Sequence, residues 1–208
     1  MAYYVWLNDE HEEPVNRRQW PMELNEWTEN VPPTIHKRGW QVIPGSHVCD
    51  NIPWRFLPAT LYRVDVDGQE SNEGVHSAWE RAKLVEKYGT LYEDQAVELA
   101  IAWFGAILSR HQHPTYYRNA DTVGRLEGME RTLELAKRYV LKETDEAPLD
   151  KALKNGYLPL IYMAKSIRAA EKSPDPLMPW VYTLYIPSEI RDASLKLELS
   201  RVLSERLR

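Results

Sequence analysis

The stretch Thr-Leu-Tyr-Arg-Val-Asp-Val-Asp-Gly, residues 60–68, constrains the fold more than any other part of the chain. Tyr62, Val64 and Val66 alternate with Arg63, Asp65 and Asp67. A period of two puts the apolar set on one face and the charged set on the other, which is the pattern of a half-buried β-strand, and Gly68 closes it. A half-buried strand needs neighbours. Tyr3 to Leu7 is aromatic and β-branched and ends at the turn former Asn8-Asp9. Gly39 to Ile43 is a weaker strand, stopped by Pro44-Gly45, and Pro32-Pro33 marks an extended connector.

The segment from Val75 to Gly89 leaves its type open. Val75, Ala78, Trp79, Ala82 and Val85 fit a helical stripe, while Trp79, Arg81, Lys83 and Val85 share one face of a strand.

Past residue 90 the period changes from two to 3.6. Residues 93–112 carry apolar side chains almost all round, which predicts a centrally buried helix, with Gly105 allowing close approach of a neighbour. Ala96 to Leu108 is shorter than the roughly 18–20 apolar residues of a membrane span, and Glu98 interrupts it. A second helix starts after the N-cap Asp121 and lines up Val123, Leu126, Met129, Leu133, Ala136 and Val140. A short helix follows from Pro148, stopped by Asn155-Gly156, and another runs from Tyr157 to Lys172. Ser173 to Pro179 reads as a stiff linker. Trp180 to Ile186 is β-rich and suits an edge strand or an extended arm. Ser188 to Arg208 is amphipathic, with Leu195, Leu199, Leu203 and Leu207 in one stripe. Such a stripe more often packs on its own chain, and the alternative is a homodimer through this helix.

The expected fold class is therefore α+β: a small mixed or antiparallel β module at residues 1–90, then a helical module at 91–208 with a C-terminal amphipathic helix. Composition separates the halves as well. Six of the eight tryptophans lie within the first 79 residues. Residues 1–90 hold 9 Lys and Arg against 14 Asp and Glu, a net of −5, whereas residues 91–208 hold 17 of each. With no basic run, binding to nucleic acid through its phosphates is not expected. The lone cysteine and an N-terminus without the features of a signal peptide give a cytoplasmic expectation.

His47 and Cys49 are the sharpest site candidates, because alternation puts both on the same side of a strand. A thiolate nucleophile needs a neighbouring base, and a zinc site needs three or four ligands. His11, His36, His76, His111 and His113 stand at no recognised metal spacing, so no metal and no cofactor is assigned. The stronger reading makes Cys49 a small buried hydrophobe and His47 a strand-end residue bonded to backbone. His111 and His113 share a side on a strand but diverge at a helix end, which the surroundings favour. Asn8 to Asn16 gathers Asp9, Glu10, Glu12 and Glu13 without a calcium-loop spacing and reads as a solvated turn. Trp20, Trp27, Trp40 and Trp54 are able to line a stacking groove for a base or a sugar, or to form the core of a small sheet. Trp27, Trp40 and Trp54 join His47 and Cys49 as candidate ligand-binding residues. No catalytic residue is assigned, since no dinucleotide or phosphate loop, nucleophile elbow or His-Glu-x-x-His motif occurs.

In order, Val5 to Asp9, Gln19 to Trp27, the Gly-x-His-x-Cys element Gly45 to Cys49 and the Leu-Tyr-x-Val-x-Val-x-Gly strand Leu61 to Gly68 resemble an uncharacterised group of small phage and bacterial proteins. Trp79 to Gly89 resembles the basic segment that follows that strand in the group, which tips Val75–Gly89 toward a strand-like start. Asp94 to Leu108 and Arg131 to Leu141 look like the first helices of an attached helical domain with some similarity to immunity proteins of bacterial toxin loci. This chain departs from the group by extra residues before His47, where the group runs Gly-Trp-His-x-Cys. The resemblance implies a two-part architecture and a phage or mobile-element origin, and names no catalytic residue. With it, the leading expectation is an accessory protein that binds a host or partner protein, to inhibit a defence system or act as an immunity protein. The alternatives are a nucleotide- or NAD-handling enzyme of ADP-ribosyl type and a structural component of a virion.

Overall fold

The computed structural model describes residues 1–14, 17–33, 39–45, 48, 51–53, 56–72, 76–111, 121–154, 161, 164, 165, 168 and 193–207. The fold is α+β. The chain divides into two compact units, Met1–Glu93 with Leu203–Arg208, and Asp94–Val202.

The first unit is a small antiparallel barrel. Its strands are β1 (Tyr3–Leu7), β2 (Trp40–Pro44), β3 (Ala59–Asn72) and β4 (Ser77–Leu91). They close in the order β1-β2-β4-β3. Val75–Gly89, open between helix and strand in the sequence, is strand from Ser77 onward, and it pairs with β3 along its whole length. Its inward residues Ala82 and Leu84 join Val5, Leu7, Trp20, Trp40, Val42, Tyr62 and Val64 in the barrel core. Arg81 and Lys83 point outward, as alternation requires. Ladder formation decides the matter: β3 offers a row of backbone partners, and a helix at Val75–Gly89 would leave that row unpaired.

Segment 25–31 serves as a further neighbour of β4. Asn25 N–H donates to the Leu84 carbonyl (2.7 Å), Thr28 N–H to Ala82 (2.9 Å) and Val31 N–H to Glu80 (2.9 Å). The Thr28 hydroxyl accepts from Ala82 N–H at 3.0 Å, so Thr28 grips one residue of β4 at two points. Asn25 takes φ 66, a left-handed conformation that asparagine tolerates better than most residues.

Trp6, Leu61 and Gly89 are successive register partners across β1, β3 and β4. Trp6 and Leu61 are buried although they face away from the barrel core. The carbonyl of Leu207 lies directly against Gly89.

In the second unit, α1 (Glu93–His111) buries Ala96, Leu99, Ala100, Trp103 and Phe104. That spacing is one stripe rather than burial all round, which corrects the expectation of a centrally buried helix. At Gly105 a methyl group would meet nothing within 4 Å among the described residues, so none of them is the close neighbour expected there. Helix α2 (Asp121–Val140) buries Met129, Leu133, Ala136 and Val140 as expected, and adds Thr132 and Tyr139. It ends in a Schellman motif. Glu143 N–H donates to the Arg138 carbonyl and Lys142 N–H to Tyr139, with Lys142 left-handed at φ 63. Helix α3 (Ala147–Ala152) buries Leu149. Lys165 bonds Glu146 at 2.9 Å and Asp150 at 2.5 Å on the α3 side. Helix α4 (Ala193–Arg206) falls within the helix expected over Ser188–Arg208; its last residues from Leu203 are counted with the first unit, where Leu203 and Leu207 are buried. The extended arm expected at Trp180–Ile186 and the linker at Ser173–Pro179 lie outside the described residues.

Candidate binding groove on the hairpin face

The outer face of the β3–β4 hairpin carries a ladder of charge. Arg63 opposes Glu86, Asp65 opposes Lys83 and Asp67 opposes Arg81, each pair in direct register. Their charged atoms lie 3.1, 3.6 and 3.7 Å apart. Directly opposed unlike charges reinforce register, although each exposed pair is worth only about 0.2–1 kcal/mol. The ladder ends at a bulge. Gly68 and Gln69 together oppose Glu80, Gly68 takes φ 87, and the Glu80 carboxylate accepts Gln69 N–H at 3.0 Å.

Segment 25–31 lays Trp27 over this ladder. Its ring centre is 5.0 Å from the Arg81 guanidinium carbon and 4.8 Å from the Lys83 ammonium. Beside it lies an open groove of about 380 Å3, lined by Met1, Tyr3, Trp27, Val64, Asp65, Val66 and Asp67. Tyr3 packs edge-on against Trp79 at 5.6 Å between ring centres, and its hydroxyl donates to Glu70 at 3.5 Å. Burial first, and then the Glu70 carboxylate, push the Tyr3 phenol above its ordinary pKa. The groove thus sets Met1, Tyr3 and Trp27 beside the exposed carboxylates of Asp65 and Asp67, while Val64 and Val66 belong to the inward face of β3. Such a site suits recognition of an apolar group that carries a cation nearby.

The candidate residues from the sequence do not come together as a set. Trp27 is half-buried at the groove. Trp40 is 3% exposed inside the barrel, where its indole donates to the Glu29 carbonyl at 2.9 Å and meets Trp20 edge-on at 5.1 Å. Its ring is therefore core and not groove wall. His47, Cys49 and Trp54 lie outside the described residues, as do Gln112 and His113. Val48, between His47 and Cys49, is a buried turn residue whose carbonyl accepts Asn51 N–H. Among the described residues, no three His, Cys, Asp or Glu side chains gather closely enough to hold a metal ion.

The acidic loop is less solvated than expected. The Asn8 side chain accepts Glu10 N–H at 3.0 Å and Glu12 N–H at 2.8 Å, which folds the loop back on itself. Glu13 is 3% exposed. His11, at φ 58, donates from Nδ1 to the Pro21 carbonyl and accepts at Nε2 from the Tyr62 hydroxyl, at 3.2 and 3.4 Å. Its role is to pin the loop to the barrel.

Sequence reasoning passed over Tyr3, Arg81 and Lys83 as site residues. A usable signal existed: the charges of β3 and β4 are complementary when the two segments are folded back on one another.

Comparison with family models, curated proteins and solved structures finds no match for this chain. Among the described residues, no helix is long and apolar enough to cross a membrane.

Proposed function

We propose that this chain is a binding protein rather than an enzyme, and that it engages a partner protein through the hairpin face around Trp27. The observation that supports this most is the groove itself, where a half-buried tryptophan is held in place beside Tyr3, Met1 and an open volume. Tryptophan in such a setting supplies a large contact area at low entropic cost, and it is enriched among the residues that dominate binding energy. The loop leading into Trp27 adds Met22 and Leu24, 69% and 46% exposed, to the apolar surface. The resemblance to phage and bacterial proteins makes the partner a host protein and the setting the host cytoplasm, and both belong to the proposal.

Tagged wild-type protein and its Trp27→Ala variant, both verified as folded, test the reading in parallel captures from bacterial lysate. The expected result is a stoichiometric partner held by the wild type and lost by the variant. Turnover of NAD or another nucleotide, with no partner that depends on Trp27, would sink it.

A further inference from the structure

We infer that the groove takes a cationic segment of its partner, with an aliphatic side chain seated against Trp27 and lysine or arginine at the rim. The inference rests on the binding reading above and names the chemistry of the occupant.

The argument begins from an asymmetry within the ion-pair ladder. Asp65 and Asp67 side chains are 50% and 59% exposed, while their partners Lys83 and Arg81 are 22% and 38% exposed. Trp27 covers the cations. Each pair is neutral as a whole, yet it turns its negative end to solvent and keeps its positive end beneath an indole ring. A carboxylate whose neighbour is shielded in this way still offers outward lone pairs to a second cation. Glu70 adds a further carboxylate just beyond the bulge, beside the lining residue Tyr3, whose hydroxyl donates to it at a long 3.5 Å.

The same pairing of apolar and acidic groups recurs in the loop before Trp27, where Met22, Glu23, Leu24 and Glu26 are all exposed. The half of the chain that forms the barrel carries a net charge of −5. A cationic segment is therefore attracted at a distance and matched at contact, whereas an acidic one is opposed at both stages. The groove's 380 Å3 suits one or two side chains rather than a whole helix face. This points to a short extended or looped segment in which an aliphatic residue alternates with basic ones.

The test uses fluorescence anisotropy with three short labelled peptides on the full chain. One alternates lysine and leucine, one replaces lysine by glutamate, and one replaces leucine by serine. The lysine–leucine peptide is expected to bind, and to bind more weakly as salt rises from about 0.05 to about 0.3 M. The glutamate and serine peptides are expected not to bind. Changing Asp65→Asn and Asp67→Asn together should weaken the lysine–leucine peptide by about fivefold, given the modest worth of exposed pairs. Glu70→Gln, which touches neither ion pair, is the second variant and should weaken it by a smaller factor. Absence of binding by the lysine–leucine peptide, equal binding of the glutamate peptide, or indifference to all three substitutions would overturn the inference. A partner captured through Trp27 would still stand in that event, so failure of the cationic assignment is separable from failure of the binding reading.

Discussion

Replacing Gly89 by alanine tests how the end of the chain is held. In an ordinary strand interior this change stabilises by about 0.5–1 kcal/mol, because alanine loses less backbone freedom than glycine on folding. Here the sign should reverse. A methyl group on Gly89 would overlap the carbonyl oxygen of Leu207 and come within 3.0 Å of the Leu207 Cβ. The main obstacle is backbone, so no change of rotamer relieves it. Leu203 and Leu207, 3% and 7% exposed, must then retreat. Full release of both would forfeit about 3–6 kcal/mol, from the worth of two fully buried leucines. Partial retreat belongs with overpacked cores, at about 1–3 kcal/mol, and that is the expected loss. Urea unfolding followed by tryptophan fluorescence should show a lower midpoint, and trypsin should cut faster after Arg201 and Arg206. A Gly89→Ala protein as stable as the wild type, with its tail equally protected, would refute the close packing of Leu207 on β4.

Three further predictions rest on single local geometries. Lys142→Gly should stabilise by about 0.5–1 kcal/mol, the relief of a left-handed lysine less the greater freedom of glycine when unfolded, read as a raised urea midpoint. Thr28→Val keeps the shape but removes the acceptor of Ala82 N–H; a loss of about 1–3 kcal/mol is expected, with faster hydrogen exchange at Ala82. The Tyr4 phenol is pushed up to about 12, first by burial and then by its hydrogen bond with Tyr88. The folded state therefore holds this proton more tightly than the unfolded chain does. The stability it contributes is complete below pH 10 and is lost as pH rises from 10 toward 12. The difference in absorbance near 295 nm between wild type and Tyr4→Phe should show a step near pH 12, and a step at pH 10 would contradict the burial.

How far the fold was legible depended on whether a segment's partner lay within the same short window. β3 declared itself because one of its faces is apolar and the other charged from Tyr62 to Asp67. β4 did not, because its buried positions include the small residues Ala78 and Ala82 while Trp79 and Val85 fall on the other parity, and that mixture fits a helical stripe equally well. The missing information was pairwise. Arg63, Asp65 and Asp67 meet Glu86, Lys83 and Arg81 in register, an order of opposite charges that makes sense only if the two segments fold back antiparallel. The site was harder still. Trp27 lies in a stretch with no alternation, and it reaches the hairpin only because Asn25, Thr28 and Val31 hydrogen-bond to the outer edge of β4. Trp40 has equal aromatic content but belongs to β2, and alternation turns it inward. Composition alone cannot separate two tryptophans thirteen positions apart; the edge that each joins does so. For the same reason the acidic loop looked solvated in sequence, while Asn8 folds it back on itself and His11 ties it down through a carbonyl and a tyrosine that lie 10 and 51 positions away. Local pattern thus reveals a strand such as β3, whose two faces differ in polarity, and leaves β4 open. Placing a surface tryptophan over a pair of cations takes long-range backbone pairing, and in this protein that pairing runs through a short irregular segment rather than through a strand.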